Sequence, residues 1–263
     1  MNNRSPEPIV HDSVADLYDI YVRADFDVPF WVREASTVPG RTLELMCGTG
    51  RVSLPLLQAG VNLTCVDYAP EMLAQFRRKL AERQLSCPIF CQDIAELDLH
   101  DQFDLVLIPF HSFSEIIDPR RQKRALEQVH SHLAHHGTFI CSLHNPTVRK
   151  ASIDGMPHVI GDFPLPQGGV LKVSATMVFN PSTRIASGDQ VYELFSSQQQ
   201  FLARRTLAVN FYLFEHNEFE QLVKDCGFAV EAMYGDYDGH PFDEATSPFM
   251  LWKLRRSAAA TTR

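Results

Sequence analysis

Residues 41–51 of the chain read RTLELMCGTGR, and VNLTCVDYAPEML follows over 61–73. Thr42–Met46 is apolar and β-prone, broken by one acid, Glu44, and runs directly into Cys47-Gly48-Thr49-Gly50. An apolar-spaced segment through Val52, Leu54, Leu56 and Leu57 comes next, then a second strand, Asn62–Val66, that ends on Asp67. Strand, glycine turn, helix and strand form the first βαβ unit of a doubly wound sheet. The chemistry this spacing offers is recognition of a ribose. Gly48 and Gly50 let the backbone approach a ligand at a helix N-terminus, and Asp67 at the strand tip can accept both ribose hydroxyls. More than one cofactor carries a ribose. Gly48-Thr49-Gly50-Arg51-Val52-Ser53 comes close to a dinucleotide fingerprint, with Ser53 in the place of the third glycine.

The longer pattern separates the candidates. Glu44-x-x-Cys47-Gly48-Thr49-Gly50, followed by Asp67-Tyr68-Ala69-Pro70-Glu71-Met72-Leu73, resembles the class I S-adenosylmethionine-dependent methyltransferases. That family often has glycine where this chain has Met46. The resemblance implies S-adenosyl-L-methionine as cofactor, with the glycine turn against its methionine part and Asp67 on its ribose. Glu44, Cys47, Tyr68 and Met72 belong to the same cofactor set. A third strand, Pro88–Gln92, ends on Asp93. By the same resemblance Asp93 receives the adenine amino group, and the N–H of Ile94 meets a ring nitrogen. The other reading of Asp93 is a loop-capping aspartate. In related enzymes an N-terminal helical segment covers the cofactor, which gives that role to Tyr18 and Trp31 and sets Tyr21 near the acceptor. Alternatively these aromatics only pack their helices onto the sheet.

Methyl transfer from a sulfonium is an in-line displacement with an activated donor, so it needs alignment and exclusion of water more than a fixed catalytic signature. A general base is required only for an acceptor that enters protonated or is weakly acidic. Phe103–Ile108 is a continuous apolar run suited to a central parallel strand, and it ends in Pro109-Phe110-His111-Ser112-Phe113. Such strand ends face the ligand crevice, which places Pro109 and Phe110 beside the sulfonium and Phe113 toward the acceptor. His111 and His144, each just past a central strand, are the candidate bases, with a structural histidine as the alternative for both. Met177, Tyr212 and His240 are further candidate acceptor contacts, and His216 is a weaker base candidate. No oxygen-rich acidic cluster suggests a metal. His132 and His136 share a helix face, but at a helix end solvated histidines are the plainer reading.

The elements that must hold these residues follow from periodicity. Val14–Tyr21 reads as a helix capped by Ser13, and Val28–Ser36 as a second helix closed by Pro39-Gly40. Pro70 opens a helix with Met72, Leu73, Phe76 and Leu80 on one face. A helix over Asp118–His136 is stopped by Gly137, and a fifth strand over Thr138–Leu143 ends on His144. From Thr147 to Glu215 no amphipathic helix is evident. Alternation instead predicts three antiparallel strands, Val170–Phe179, Arg184–Phe195 and Phe201–Phe214. Asn217 then caps a helix stopped by Gly227, followed by strands Phe228–Tyr234 and Phe249–Leu254. The C-terminal half is again similar to the family, whose final strand inserts antiparallel. The resemblance spans Ala15–Arg256. The fold class expected is α/β, a doubly wound Rossmann-like seven-stranded sheet with an antiparallel last strand and an antiparallel β-insertion. Its parts are 1–40 (tail and covering helices), 41–146 (cofactor core), 147–214 (acceptor lid), 215–256 (rest of the core) and 257–263 (loose tail), and residues 1–10 also read as loose.

A chain of 263 residues with 45% hydrophobic content supports a full core. A net charge of -8 argues against a nucleic-acid partner, and the basic run Arg120–Arg124 reads as a solvated helix face. No stretch has the length of a membrane span. The six cysteines show neither disulfide nor zinc spacing, as expected for reduced thiols in a cytoplasmic protein. These readings converge on a methyltransferase acting on an N or O atom of a small-molecule acceptor. The rivals are a nicotinamide-dependent oxidoreductase and a non-catalytic cofactor-binding scaffold. The insertion can also serve as a homodimer interface.

Overall fold

Alternation along one strand sets the architecture. On Phe103–Ile108, Leu105 and Leu107 turn to one face of the sheet, and Val106 and Ile108 to the other. Each face is covered by helices, so the strand is apolar from Leu105 to Ile108, as the middle of a central parallel strand must be. The computed structural model describes residues 7–257. In chain order the elements are α1 (Ala15–Tyr21), α2 (Val28–Ser36), β1 (Arg41–Leu45), α3 (Ser53–Gln58), β2 (Asn62–Asp67), α4 (Pro70–Glu82), β3 (Ile89–Cys91) and β4 (Phe103–Ile108). They continue with α5 (Pro119–His132), β5 (Leu133–His144), α6 (Pro146–Ala151), β6 (Pro157–Pro164), β7 (Val170–Asn180), β8 (Ile185–Phe195) and β9 (Phe201–Tyr212). The chain closes with α7 (His216–Asp225), β10 (Phe228–Tyr234) and β11 (Phe249–Arg256).

Seven strands form the main sheet in the order β3-β2-β1-β4-β5-β11-β10. The pairs from β3 to β5 are parallel, and β11 runs antiparallel to both β5 and β10. Helices α2, α3 and α4 pack on one face through Trp31, Leu54 and Phe76, and α5 and α7 on the other through Leu126, Val129, Phe219 and Val223. A separate four-stranded antiparallel sheet, β6-β7-β8-β9, carries the insertion. Its inner face, with Leu171, Val173 and Val209, buries Ile9, Val14 and Leu17 of the N-terminal segment. Residues 7–10, read from the sequence as a loose tail, are therefore part of the fold, with Ile9 only 1% exposed. The tails expected at 1–6 and 258–263 lie outside the described residues.

Several expected boundaries change, each for a local reason. Ser13 does not cap α1; its hydroxyl donates back to the Val10 carbonyl, and a 3-10 turn over His11–Val14 leads into the helix. Helix α5 ends at His132 rather than His136, because Leu133 already pairs with Phe103 in the sheet. Gly137 is then no helix stop. It lies near the register shift of the β4–β5 pair, where a Cβ would meet the Phe103 carbonyl oxygen at 2.9 Å. Helix α7 is capped by Glu215 in a capping box with Glu218, not by Asn217. The region read as helix-free holds most of the short α6, capped by Asn145. The insertion has a fourth strand, β6, proline-bounded and irregular at Val159–Gly161, which suits it to an edge.

Candidate active site

The C-terminal ends of β1, β2 and β4 and the loop after β3 converge on one crevice, as doubly wound sheets require. Its largest part is a cavity of about 420 Å³ lined by Asp67 and Tyr68 after β2, Asp93 and Ile94 after β3, and Glu115 and Arg121 beyond β4. Two smaller cavities of about 40 Å³ each continue it. One lies along the glycine turn, with Glu44, Cys47, Gly48, Arg51, Pro109 and Phe110 in its wall. The other joins it to Asp67 through Gly48 and Met72. Tyr18 lines both small cavities, and Met46 lines all three.

The turn is shaped by left-handed backbone at Met46 (φ 57°), Gly48 (φ 55°) and Gly50 (φ 80°). A Cβ on Gly50 would strike the Phe76 ring at 2.2 Å, so this turn and α4 can close on each other only with glycine there. Asp67 holds the turn from the next strand. One carboxylate oxygen accepts the Gly48 N–H at 2.7 Å and the other the Ala69 N–H at 2.9 Å. Each oxygen retains a lone pair, and the carboxyl, 7% exposed, borders the 420 Å³ cavity. Burial raises its proton affinity, and the two backbone N–H groups partly offset this. Beneath the turn, Glu44 accepts the Ser53 hydroxyl at 2.7 Å, and burial pushes its carboxyl up to about 8. Cys47 is a buried thiol, pushed up to about 11 for the same reason. Asp93 accepts the Ala95 N–H at 2.8 Å and pairs with Arg121, so it is a loop cap and a cavity wall at once.

The covering element is only partly the one the sequence suggested: Tyr18 of α1 lines the two smaller cavities, but Trp31 borders none of the three. Pro8 lines the 420 Å³ cavity, and the chain after it is tied down at three points. The Tyr68 hydroxyl donates to the Ile9 carbonyl, His11 contacts Glu115 at 3.0 Å, and the Asp12 carboxylate accepts the Glu71 N–H at 2.9 Å. Trp31, expected over the cofactor, is fully buried beneath it with Phe30 and Tyr237, and its indole N–H donates to Asp27 at 3.1 Å. Asp27 in turn holds Arg51 through two contacts of 2.6 and 2.7 Å, and that guanidinium lies 4.2 Å from the centre of the Phe110 ring.

His111 and His144 do come together, with ring centres 4.0 Å apart and nearly parallel, and Phe249 stacks on the far side of His111 at 4.8 Å. His111 has left-handed backbone (φ 61°), and its Nδ1 has no partner. Burial lowers the proton affinity of both rings, that of His111 to about 3, and nearby Arg149 adds to the effect. Of the candidate acceptor contacts, Met177 lines a further cavity beside α6. Tyr21 lies under the insertion, where its hydroxyl accepts from that of Tyr192 at 3.1 Å. Phe113 is a core residue between Phe214 and Phe219, and Tyr212 packs on Phe214 while donating to Glu218 at 2.6 Å. His216 is stacked on Trp252 and Phe242. His240 is exposed on the loop after β10, in contact with Asp236 at 2.8 Å. None of Phe113, Tyr212, His216 or His240 borders the crevice cavities. The sequence reading missed His11, Glu115 and the Arg51–Asp27 pair. Only Arg51 had a signal, being part of the glycine-turn run itself.

Fold and site together define an α/β protein whose glycine turn and successive strand-end acids border one continuous crevice. The methyltransferase-domain family matches residues 42–137. Over 95% of this chain and 99% of its own length, the cypemycin N-terminal methyltransferase of a Streptomyces species is 24% identical. Among solved structures, an S-adenosylmethionine-dependent methyltransferase from Clostridium acetobutylicum ATCC 824 superposes with a TM-score of 0.79 at 20% identity, covering 94% of this chain and 99% of that one. The sugar N-methyltransferase KedS8 from Streptoalloteichus sp ATCC 53650 gives 0.73 at 17% identity, covering 98% and 97%. Residues 42–137 are a methyltransferase domain, and the enzyme is S-adenosylmethionine-dependent, with S-adenosyl-L-methionine as its cofactor. The domain match and the methyltransferase relatives favour this activity over the nicotinamide oxidoreductase and the non-catalytic scaffold. Among the described residues no helix is long and apolar enough to cross a membrane.

Proposed function

We propose that this enzyme methylates the nitrogen of a small-molecule amine. In this reading adenosine occupies the 420 Å³ cavity, with Asp67 on the ribose and Asp93 and Ile94 on the base. The methionine part runs along Gly48 and Gly50 toward Phe110. The bound cofactor supplies an electrophilic methyl on a sulfonium, so the chain itself has to seat the acceptor, exclude water and deal with one proton. The insertion over 147–214 serves as the acceptor lid.

The observation that carries the choice of nitrogen is the stacked His111–His144 pair. Two imidazoles held well below their ordinary proton affinity are poor bases for a hydroxyl. An amine that enters neutral needs none, because its lone pair is already nucleophilic. The pair then adds no positive charge to repel the developing ammonium. The N-methyl activity named for KedS8 agrees with this choice.

The test is the formation of S-adenosylhomocysteine with two amines of different basicity and with a phenol, each followed against pH. The acidic limb of kcat/KM should track the amine's own pKa and move when the amine is changed. Turnover confined to hydroxyl acceptors, or a limb fixed whatever the amine, would reject nitrogen as the target.

A further inference from the structure

Helix α6 begins directly after His144-Asn145 and carries a cation that the cofactor crevice does not use. Arg149 is half-buried. Its guanidinium donates only to the Ser152 hydroxyl and to the thioether of Met177, both at 3.3 Å, and among the described residues no carboxylate pairs with it. Most other half-buried cations have acids. Arg51 pairs with Asp27, Lys79 with Asp19, and Lys150, next to Arg149 in sequence, with Glu215 at 2.9 Å. Desolvation weakens the proton affinity of Arg149, and no neighbouring acid restores it. A half-buried guanidinium left in this state is poised for an external anion.

Space for that anion is present. A cavity of about 430 Å³ opens beside Arg149, walled by Ile153, Asp154, Ile160, Ala175 and Met177. Ala175 and Met177 project from the same face of β7 as Leu171 and Val173, the face that packs on the N-terminal segment. Arg149 thus borders the inner side of the insertion, while its charge reaches the stacked histidines at the ends of β4 and β5.

We propose that this cavity is the acceptor subsite and that Arg149 binds a carboxylate on the acceptor, so that the substrate is a carboxylate-bearing amine. The proposal rests on the amine reading above and narrows it. A planar carboxylate matches the guanidinium fork with two parallel hydrogen bonds. One unpaired cation balances a single negative charge. The second charge of a phosphate monoester would instead face Asp154, whose histidine partner, His158, is already engaged at 2.8 Å.

The experiment compares a set of α-amino acids with their methyl esters, their decarboxylated amines and phosphorylated amines of matched size. Turnover is measured on the full-length enzyme with saturating cofactor, and binding by titration of the enzyme loaded with S-adenosylhomocysteine. The amino acids should show KM at least tenfold below their esters. Arg149→Met should erase that difference by raising KM for the amino acids only, Arg149→Lys should restore part of it, and S-adenosylhomocysteine affinity should stay within about twofold in both variants. S-adenosylhomocysteine binding also reports that each variant is folded. Equal KM for acids and esters, preference for the phosphorylated amines, or equal losses on all acceptors in Arg149→Met would overturn the subsite. Carboxylates that bind through Arg149 without any amine being methylated would leave the subsite standing and reject the amine reading instead. No binding of any carboxylate rejects the subsite whatever the fate of the amine reading.

Discussion

Asp67 has carboxylate capacity for both structure and a ligand: two backbone N–H groups fix the glycine turn, and the remaining lone pairs border the 420 Å³ cavity. Asp67→Asn removes the charge at constant size. S-adenosylmethionine affinity, read by calorimetric titration, should fall by about 1.5–3 kcal/mol, the range for hydrogen bonds to a charged group. Unchanged affinity would take Asp67 off the ribose. Glu44 makes a prediction of another kind. Its carboxyl is raised from 4.5 to about 8, so between those values the folded protein holds a proton that the unfolded chain has released. Stability from this group is therefore full below about pH 4.5 and is lost as pH rises toward 8. Glu44→Gln keeps the acceptor for Ser53, and its melting temperature should overtake that of the wild type by a margin that grows up to pH 8 and then levels off. Parallel melting curves across that range would mean Glu44 does not titrate there. At this scale the glycine turn and the acids Asp67 and Asp93 were legible because strand ends announce them. Glu115 was not, since it sits on a 3-10 turn, Ser112–Glu115, too short to give periodicity. Arg149 was not either, because what singles it out is the absence of a partner.

At the scale of elements, the N-terminal strap and not the helix bearing Trp31 covers the cofactor cavity. Sequence could place Val28–Ser36 as an amphipathic helix, but periodicity says only that Trp31 faces apolar surroundings, which the core satisfies as well as a ligand would. The strap over residues 8–14 has no regular pattern, and its burial comes from an insertion more than 150 residues downstream. Tyr68→Phe deletes the anchor to the Ile9 carbonyl without altering packing. The loss of one hydrogen bond of about 0.5–1.5 kcal/mol should weaken S-adenosylhomocysteine binding by up to roughly tenfold, mainly through faster dissociation seen in stopped flow. An unchanged dissociation rate would mean the strap does not retain the cofactor. The edge strand β6 escaped notice for a different reason: prolines at both ends and a glycine within it read as turn chemistry, and only pairing with β7 makes it a strand.

For the whole molecule, the seven-stranded sheet was legible because alternating βα units and a terminal antiparallel pair leave few topologies open. The placement of the second sheet was not, because it depends on non-local burial of Ile9, Val14 and Leu17. That burial ties the insertion to the wall of the 420 Å³ cavity. One side of the N-terminal segment packs on the insertion, and Pro8 on the same stretch roofs the cofactor cavity. The expected consequence is that a spent cofactor leaves faster once the contacts of Ile9, His11 and Asp12 let go, a step unrelated to breaking the methyl–sulfur bond. Release of this segment, and not chemistry, should then set the steady rate. Mixing enzyme with excess cofactor and acceptor should produce a burst of methylated product near one equivalent per site, followed by a slower steady rate equal to that of S-adenosylhomocysteine release. A progress curve linear from the first turnover would show that chemistry, and not the roof, sets the pace.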